Sequence, residues 1–307
     1  MTRTQRQTTL SHDDHRRANV TGLAHVYAVL SRRSHGVSIG IDLNPDRGCN
    51  FDCIYCQVDR TGPTPAKPSP SVLAQELQTM FSWIADGSLF DHPMFASLPQ
   101  DQRVVRDIAF SGNGEPTTSP LFPSTVELVA DLKRQHGLHD LRLILITNAT
   151  LLHRPRIQEA LHPLHHANGE VWAKLDAGSE QDYHRINRSR VPLDQIVNNI
   201  RTVARSWPVV IQTMVLDTGP TPSILPDIDP YLARLLAILN TGGRIRLVQL
   251  YSVARHPAEP HVFAVDRAAL SSMASTIHKH TGLTVAVYEG SPRFLRPDQP
   301  DPLHLQT

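Results

Sequence analysis

The stretch GVSIGIDLNPDRGCNFDCIYC (residues 36–56) decides the fold, because it joins a strand pattern to a cysteine loop. Its first eight residues form a short apolar segment of β type, and Asn44-Pro45 is typical of the turn that ends such a strand. Cys49, Cys53 and Cys56 follow with the spacing C-x3-C-x2-C. We therefore predict a strand followed by a loop that carries three thiols.

Downstream of this stretch, short apolar segments alternate with segments of helical periodicity. Six further strands are predicted at VVRDIAFS (104–111), LRLILITN (141–148), VWAKLDA (171–177), VVIQTMVL (209–216), IRLVQLYS (245–252) and TVAVYE (284–289). Helices are predicted at 71–85, with Ser69 or Ser71 as N-cap, and at 122–136, 154–162, 193–206, 229–240 and 266–280. This alternation predicts an α/β fold, a partial (β/α)6 TIM-like barrel of parallel strands with one added strand.

Three segments are expected along the chain. Residues 1–20 are polar and show no apolar periodicity, a pattern that predicts a mobile tail. Residues 21–290 are predicted to form the barrel domain. Residues 291–307 are rich in proline and predict a second tail.

Composition and charge exclude several classes of function. The 307 residues include 30 Lys+Arg and 29 Asp+Glu, a formal charge of +1, so no global basic field draws the chain onto nucleic acid or membrane. No apolar run is long enough to span a bilayer, and the first residues lack the apolar core of a signal peptide. A cytoplasmic protein without a membrane partner is expected.

The three cysteines predict a metal site of a particular kind. They are the only cysteines and lie within eight positions, which excludes a disulfide framework. Three thiolates leave one corner of a zinc tetrahedron empty unless a histidine fills it, but they can hold three irons of a cubane cluster. The fourth iron is then open to a reactant. A Cys3His zinc loop and inert buried thiols are the alternatives.

A second motif, SGNGEPT (111–117), follows the second predicted strand. Gly112 and Gly114 allow the backbone to approach a ligand closely, and Asn113 tolerates unusual backbone angles. The Glu115 carboxylate and the carbonyls of the turn can accept hydrogen bonds from an ammonium group. An ordinary loop between strand and helix is the other interpretation.

Together the two motifs resemble the radical S-adenosylmethionine superfamily. Over about residues 25–290, the run LSRRSHGVSIGIDLNPDRGCNFDCIYCQVDR, the SGNGEPT turn, the KLDA strand and QLYSVARHPAE resemble one group of it. That group is often labelled Fe-S oxidoreductases and is related to the wyosine-synthesising tRNA enzymes. Those enzymes carry additional cysteines for a second cluster, which this chain lacks.

The resemblance implies an enzyme, its cofactors and the residues that bind them. Cys49, Cys53 and Cys56 would hold a 4Fe-4S cluster that reductively cleaves S-adenosyl-L-methionine, and the resulting 5′-deoxyadenosyl radical would abstract a hydrogen from the substrate. A one-electron donor such as flavodoxin or ferredoxin is implied. The residues expected to contact S-adenosylmethionine are Tyr55, Gly112, Asn113, Gly114, Glu115, Asn148, Asp176 and Gln212. The last three can also be read as capping or barrel-lining side chains.

The substrate has several candidates. A tRNA nucleoside is suggested by the group, a peptide, a protein or a small metabolite is the second hypothesis, and a non-catalytic iron-sulfur redox or regulatory protein is the third. Tyr251 and Arg255 are the candidate substrate contacts. Cations near predicted strand ends that could meet RNA phosphates are Arg32, Arg33, Arg188, Arg190 and Arg255. His162, His165 and His166 lack a carboxylate pair at ligand spacing and are expected to be surface histidines.

Overall fold

The computed structural model describes residues 22–31, 33–58, 64–95, 98–219 and 224–297. Its strands are β1 (Val26–Ser31), β2 (Gly36–Ile41), β3 (Val105–Phe110), β4 (Arg142–Thr147), β5 (Gly169–Lys174), β6 (Val209–Met214), β7 (Leu216–Asp217), β8 (Ile224–Leu225), β9 (Ile245–Tyr251), β10 (Phe263–Ala264) and β11 (Val285–Tyr288). Its α-helices are α1 (Pro70–Asp86), α2 (Phe122–Gln135), α3 (Pro155–His166), α4 (Glu180–Asn187), α5 (Leu193–Ser206), α6 (Ile228–Leu239) and α7 (Arg267–Thr281).

All seven predicted strands are present, as β2, β3, β4, β5, β6, β9 and β11. They belong to an eight-stranded sheet of order β1-β2-β3-β4-β5-β6-β9-β11. The pairs β2–β3, β3–β4, β6–β9 and β9–β11 are parallel. The α/β class with its mostly parallel sheet is therefore as predicted.

The edge strand β1 was not predicted. It pairs antiparallel with β2 from Val26↔Ile41 to Ser31↔Gly36, and His35 adopts a positive φ of 52° just before β2 begins. A short second sheet of order β10-β7-β8 was also not predicted, since each of its strands is only two residues long.

The predicted helices are all present, and α4 is an additional one. Ser69 caps α1, its side chain accepting a hydrogen bond from the backbone N–H of Val72, and Gly87 ends α1 with φ 81°. Ser179 caps α4 in the same way through the N–H of Asp182, and Arg188 ends α4 in the left-handed region. These caps set where each helix begins and stops.

The chain divides into two compact units. The first comprises the described parts of Met1–Cys49, Arg60–Thr147 and Leu151–Trp172, and the second those of Asn50–Asp59, Asn148–Thr150 and Ala173–Thr307. In the first unit every residue of β2 is buried, and in the second every residue of β6 is buried. Strands covered on both faces are typical of parallel α/β sheets.

The structure describes only part of the second predicted tail. The tail predicted at 1–20 lies outside the described residues, and of 291–307 the structure describes 291–297. There Leu295 bridges to Ala264, and Arg296 is buried and forms an ion pair with Asp217 in the same unit. Among the described residues, no helix is both long enough and apolar enough to cross a membrane.

Candidate functional site

In the first unit, the SGNGEPT turn lies against the start of the cysteine loop. The backbone N–H of Glu115 donates to the carbonyl oxygen of Gly48 at 2.9 Å. A Cβ on Gly114 would lie 2.2 Å from that oxygen, and one on Gly112 would lie 2.3 Å from Oδ1 of Asp42. The two glycines are therefore required by the close approach of the turn to the chain segment that follows β2.

Asp42, at the end of β2, holds the same turn. Its Oδ1 accepts from the backbone N–H of Asn113 at 3.2 Å and from that of Asn44 at 3.1 Å, and its Oδ2 accepts from Nδ2 of Asn113 at 3.2 Å. Asn113 was singled out from the sequence for its tolerance of unusual backbone angles. Its side chain also takes part, because the amide binds the carboxylate that organises the turn.

Glu115 is 3% exposed, and its carboxylate is engaged within the first unit. Its Oε1 accepts from Oγ1 of Thr117 at 2.6 Å, from the N–H of Thr117 at 3.2 Å and from Oγ1 of Thr147 at 2.6 Å. These bonds cap a 3-10 turn at Pro116–Thr118 and join it to the end of β4. The carboxylate is thus fixed in place where the cofactor turn was predicted.

In the second unit, the rest of the cysteine loop is bound to the C-terminal end of α4. The N–H of Asp52 donates to the carbonyl of Asn187 at 2.9 Å, and the N–H of Ile54 donates to that of Ile186 at 3.0 Å. Nδ2 of Asn187 lies 3.4 Å from Sγ of Cys53, as a donor to the sulfur. Helix α4 therefore fixes both the backbone and one thiol of the loop.

Asp176 is the centre of a buried polar network in this unit. Its side chain is 2% exposed, and Oδ2 accepts from the hydroxyl of Tyr55 at 2.5 Å and from Nδ2 of Asn187 at 2.9 Å. Its Oδ1 accepts from the N–H of Met214 at 2.9 Å, and Nζ of Lys174 lies 3.5 Å from Oδ2. One carboxylate thus joins the cysteine loop, α4, β5 and β6.

Lys174 completes this network with a positive charge. Its Nζ donates to the hydroxyl of Tyr251 at 2.5 Å and lies 4.9 Å from the ring centroid of Tyr55 and 5.2 Å from that of Tyr251. Burial lowers the pKa of Lys174, but Asp176 together with the neighbouring acidic groups outweighs burial and raises it above the ordinary value. Lys174 is therefore a fixed cation between two aromatic rings.

The network affects the Cys53 thiol and the Tyr55 phenol. Burial, and next the Asp176 carboxylate, raise the pKa of Cys53 to about 12, against the opposing effects of Lys174 and of the hydrogen bond from Asn187. The same two causes raise the pKa of Tyr55. Without metal, Cys53 is protonated at neutral pH, so binding a metal there releases a proton.

Asn148 and Gln212 have protein partners within the second unit. Asn148 donates from Nδ2 to Oδ1 of Asn50 at 2.7 Å and accepts from the N–H of Thr150 at 3.1 Å, so it holds the loop residue next to Cys49. Gln212, 1% exposed, donates to Oε1 of Gln249 on the neighbouring strand at 2.9 Å. Asn148 thus contacts the cysteine loop, and Gln212 is a buried residue of β6.

The predicted cations differ in how they are held. Arg188 forms an ion pair with Glu259 at 2.6 Å, Arg255 donates to Oε1 of Gln57 at 3.2 Å, and Arg33 lies over the ring of Trp172 at 5.7 Å. Arg190 is exposed, and Arg32 lies outside the described residues.

The donor set of the cysteine loop fits an iron-sulfur cluster by its chemistry. None of the three cysteines forms a disulfide, and thiolates are the ligands of such clusters. Cys49 is exposed, and Cys53 and Cys56 are half-buried. In the part of the chain that the structure describes, no three His, Cys, Asp or Glu side chains are gathered closely enough to hold a metal ion. His162 and His166 are exposed, as expected for surface histidines, whereas His165 is half-buried on α3.

Asn187 was not predicted as a site residue, and Lys174 had no predicted role. Lys174 is the last residue of β5 and Asp176 lies two residues beyond it, a spacing that places alternate residues of an extended chain on one face. That spacing was the available signal for Lys174. Asn187 had none, because it lies 134 residues from Cys53 and meets it only through folding.

The chain is similar in sequence to a curated protein over about half of its length. No protein-family model matches the chain. A UPF0026 protein of Helicobacter pylori strain J99 is 28% identical over 173 residues, which cover 56% of this chain and 47% of that protein. The match therefore spans about half the length of this curated relative.

Two solved structures resemble the chain at low sequence identity. TYW1 with a lysine-pyruvate adduct bound has a TM-score of 0.51 and 14% identity, over 83% of this chain and 84% of that one. A histidine-tagged anSMEcpe with bound AdoMet has a TM-score of 0.50 and 13% identity, over 81% of this chain and 63% of that one. These likenesses confirm the partial-barrel α/β fold class.

Proposed function

We propose that this chain is a radical S-adenosylmethionine enzyme. The observation that carries the proposal is the C-x3-C-x2-C loop, which follows the buried strand β2 and carries three cysteines that form no disulfide. When bound, a 4Fe-4S cluster on Cys49, Cys53 and Cys56 supplies the electron that cleaves S-adenosylmethionine. The fold of a structure that contains AdoMet supports this assignment.

The residues of the chain position the cofactors. The turn 112–115 offers its carbonyls and the fixed carboxylate of Glu115 to the ammonium group of S-adenosylmethionine, held against Gly48 by the bond from the N–H of Glu115. Within the second unit, Asp176 accepts a hydrogen bond from the hydroxyl of Tyr55, and Asn148 donates one to Asn50, so both hold the loop. These anchors fix the loop without a ligand, which lowers the entropy lost on binding.

An RNA nucleoside is the proposed substrate class, and a one-electron donor such as flavodoxin or ferredoxin is the proposed partner. The group resemblance supports RNA, as does the exposed Arg190 at the end of the α4 segment. The ion pair with Glu259 occupies Arg188, so fewer cations are available there than the sequence suggests. Peptide or small-metabolite modification and a non-catalytic redox protein are the competing functions.

Anaerobic reconstitution with iron and sulfide tests the proposal. The parent should bind about four irons per chain and become brown and oxygen-sensitive. Each of Cys49→Ala, Cys53→Ala and Cys56→Ala should lose the chromophore, whereas Asn199→Leu, which alters a buried amide outside the loop, should keep it. Tightly bound zinc without iron uptake would instead assign a zinc site.

A further inference from the structure

The side chain of Asn187 lies between the cysteine loop and the Asp176 network. It is 1% exposed, and its Nδ2 donates both to Sγ of Cys53 at 3.4 Å and to Oδ2 of Asp176 at 2.9 Å. Its backbone carbonyl oxygen accepts from the N–H of Asp52, one residue before Cys53, at 2.9 Å. Backbone and side chain of one residue therefore both hold Cys53.

The orientation of this amide follows from its neighbours. Oδ1 of Asn187 is buried and finds no hydrogen-bond partner among the described residues. Rotating the amide by half a turn would place Oδ1 against the carboxylate of Asp176 and the sulfur of Cys53, both of which accept hydrogen bonds. In the observed orientation, Oδ1 has no hydrogen-bond partner among the described residues, while Nδ2 donates to the sulfur and to the carboxylate. Because an unpaired buried acceptor is costly, this arrangement indicates that the two donated hydrogen bonds have a function.

We propose that Asn187 is a positioning residue of the iron-sulfur site that holds the Cys53 sulfur and raises the reduction potential of the bound cluster. The inference rests on the proposed function, since it needs a cluster on Cys53. Reduction adds negative charge to the cluster and its sulfur ligands, and an N–H donor to a ligating sulfur stabilises that charge. The buried Asp176 carboxylate has the opposite effect, and the amide of Asn187 lies between the two.

Asn187→Leu tests this role with a side chain of similar size that has no donors. Asn199→Leu is the matched control, because Asn199 is also buried and its Nδ2 donates to the carbonyls of Ala149 and Thr150 instead of a thiol. After anaerobic reconstitution, iron content is measured first, and the midpoint potential is then measured by redox titration followed by electron paramagnetic resonance. We expect about four irons in all three proteins, a more negative potential in Asn187→Leu, and the parent potential in Asn199→Leu.

A second measurement uses the parent protein alone. With asparagine labelled by 15N only in its side chain, the reduced cluster of the parent should show a 15N hyperfine coupling, and Asn187→Leu should lose it. If Asn187→Leu fails to fold, the 15N hyperfine coupling in the parent tests the inference alone. Its presence supports the role of Asn187, and its absence overturns that role. If the parent takes up no iron, the proposed function and this inference both fall. If the parent binds about four irons and Asn187→Leu keeps its potential, only the inference falls.

Discussion

Replacing Asp176 by Ala should destabilise the second unit strongly, even without metal. The carboxylate is 2% exposed and accepts hydrogen bonds from Tyr55, Asn187 and the N–H of Met214, while Lys174 lies 3.5 Å away. Removing one partner of a buried ion pair leaves the other charge uncompensated, which costs about 3–5 kcal/mol. The unpaired donors add to this cost but belong to the same network, so the terms do not sum. We expect a loss of about 3–5 kcal/mol of the free energy of unfolding.

Urea unfolding of the metal-free protein, followed by tryptophan fluorescence and circular dichroism, measures this loss. Asp194→Ala is the matched control, because Asp194 pairs with Arg234 at 2.5 Å but its side chain is 71% exposed. An exposed pair of this kind contributes about 0–1 kcal/mol. The reasoning is refuted if Asp176→Ala unfolds at the same urea concentration as Asp194→Ala, since the network would then contribute no more than a surface pair.

Three further outcomes are expected. Glu115→Ala should weaken S-adenosylmethionine binding in calorimetry by about 1–3 kcal/mol, the cost of an unpaired charged partner, at unchanged iron content; equal binding would remove the role of this turn. Burial lowers the pKa of His165 from 6.5 to about 4. The unfolded chain therefore binds a proton in this range that the folded chain does not, and stability falls as pH drops from 6.5 toward 4. His165→Gln should reduce this loss of stability at low pH, and the exposed His162→Gln should not. The urea concentration at the unfolding midpoint, measured between pH 6.5 and pH 4, tests this. Binding of bulk tRNA should fall with salt with a log–log slope of about 2–3, and Arg190→Ala should reduce the slope by about 0.7. Arg188→Ala should change it less, because Glu259 already pairs with Arg188. Salt-insensitive binding would exclude RNA.

The fold was predictable where buried strands produced long apolar runs. The segments at 141–148 and 209–216 each contain five Val, Ile or Leu residues in eight, and each includes a strand of the sheet. The edge strand β1 was missed because its burial alternates while its sequence, VYAVLS, shows no matching alternation of apolar and polar residues. The strands of the small sheet contain two residues each, too few for any periodicity to be visible.

The candidate site was predictable only where local sequence sets the geometry. The cysteine spacing and the two glycines of the turn are local features, and the contacts of Gly112 and Gly114 explain why no larger residue fits there. The anchoring of the loop arises from long-range contacts instead. The bond from Tyr55 to Asp176 spans 121 residues and that from Asn187 to Cys53 spans 134, and no local pattern encodes either.

The central claim is that this chain cleaves S-adenosylmethionine reductively, and the most direct measurement is product formation under anaerobic conditions. The reconstituted parent is incubated with S-adenosylmethionine and a strong reductant, and 5′-deoxyadenosine and methionine are quantified by chromatography and mass spectrometry. We predict slow formation of both products in equal amounts, and none with Cys53→Ala. A parent that binds about four irons and S-adenosylmethionine but forms neither product would contradict the assignment as an enzyme and favour a non-catalytic iron-sulfur protein.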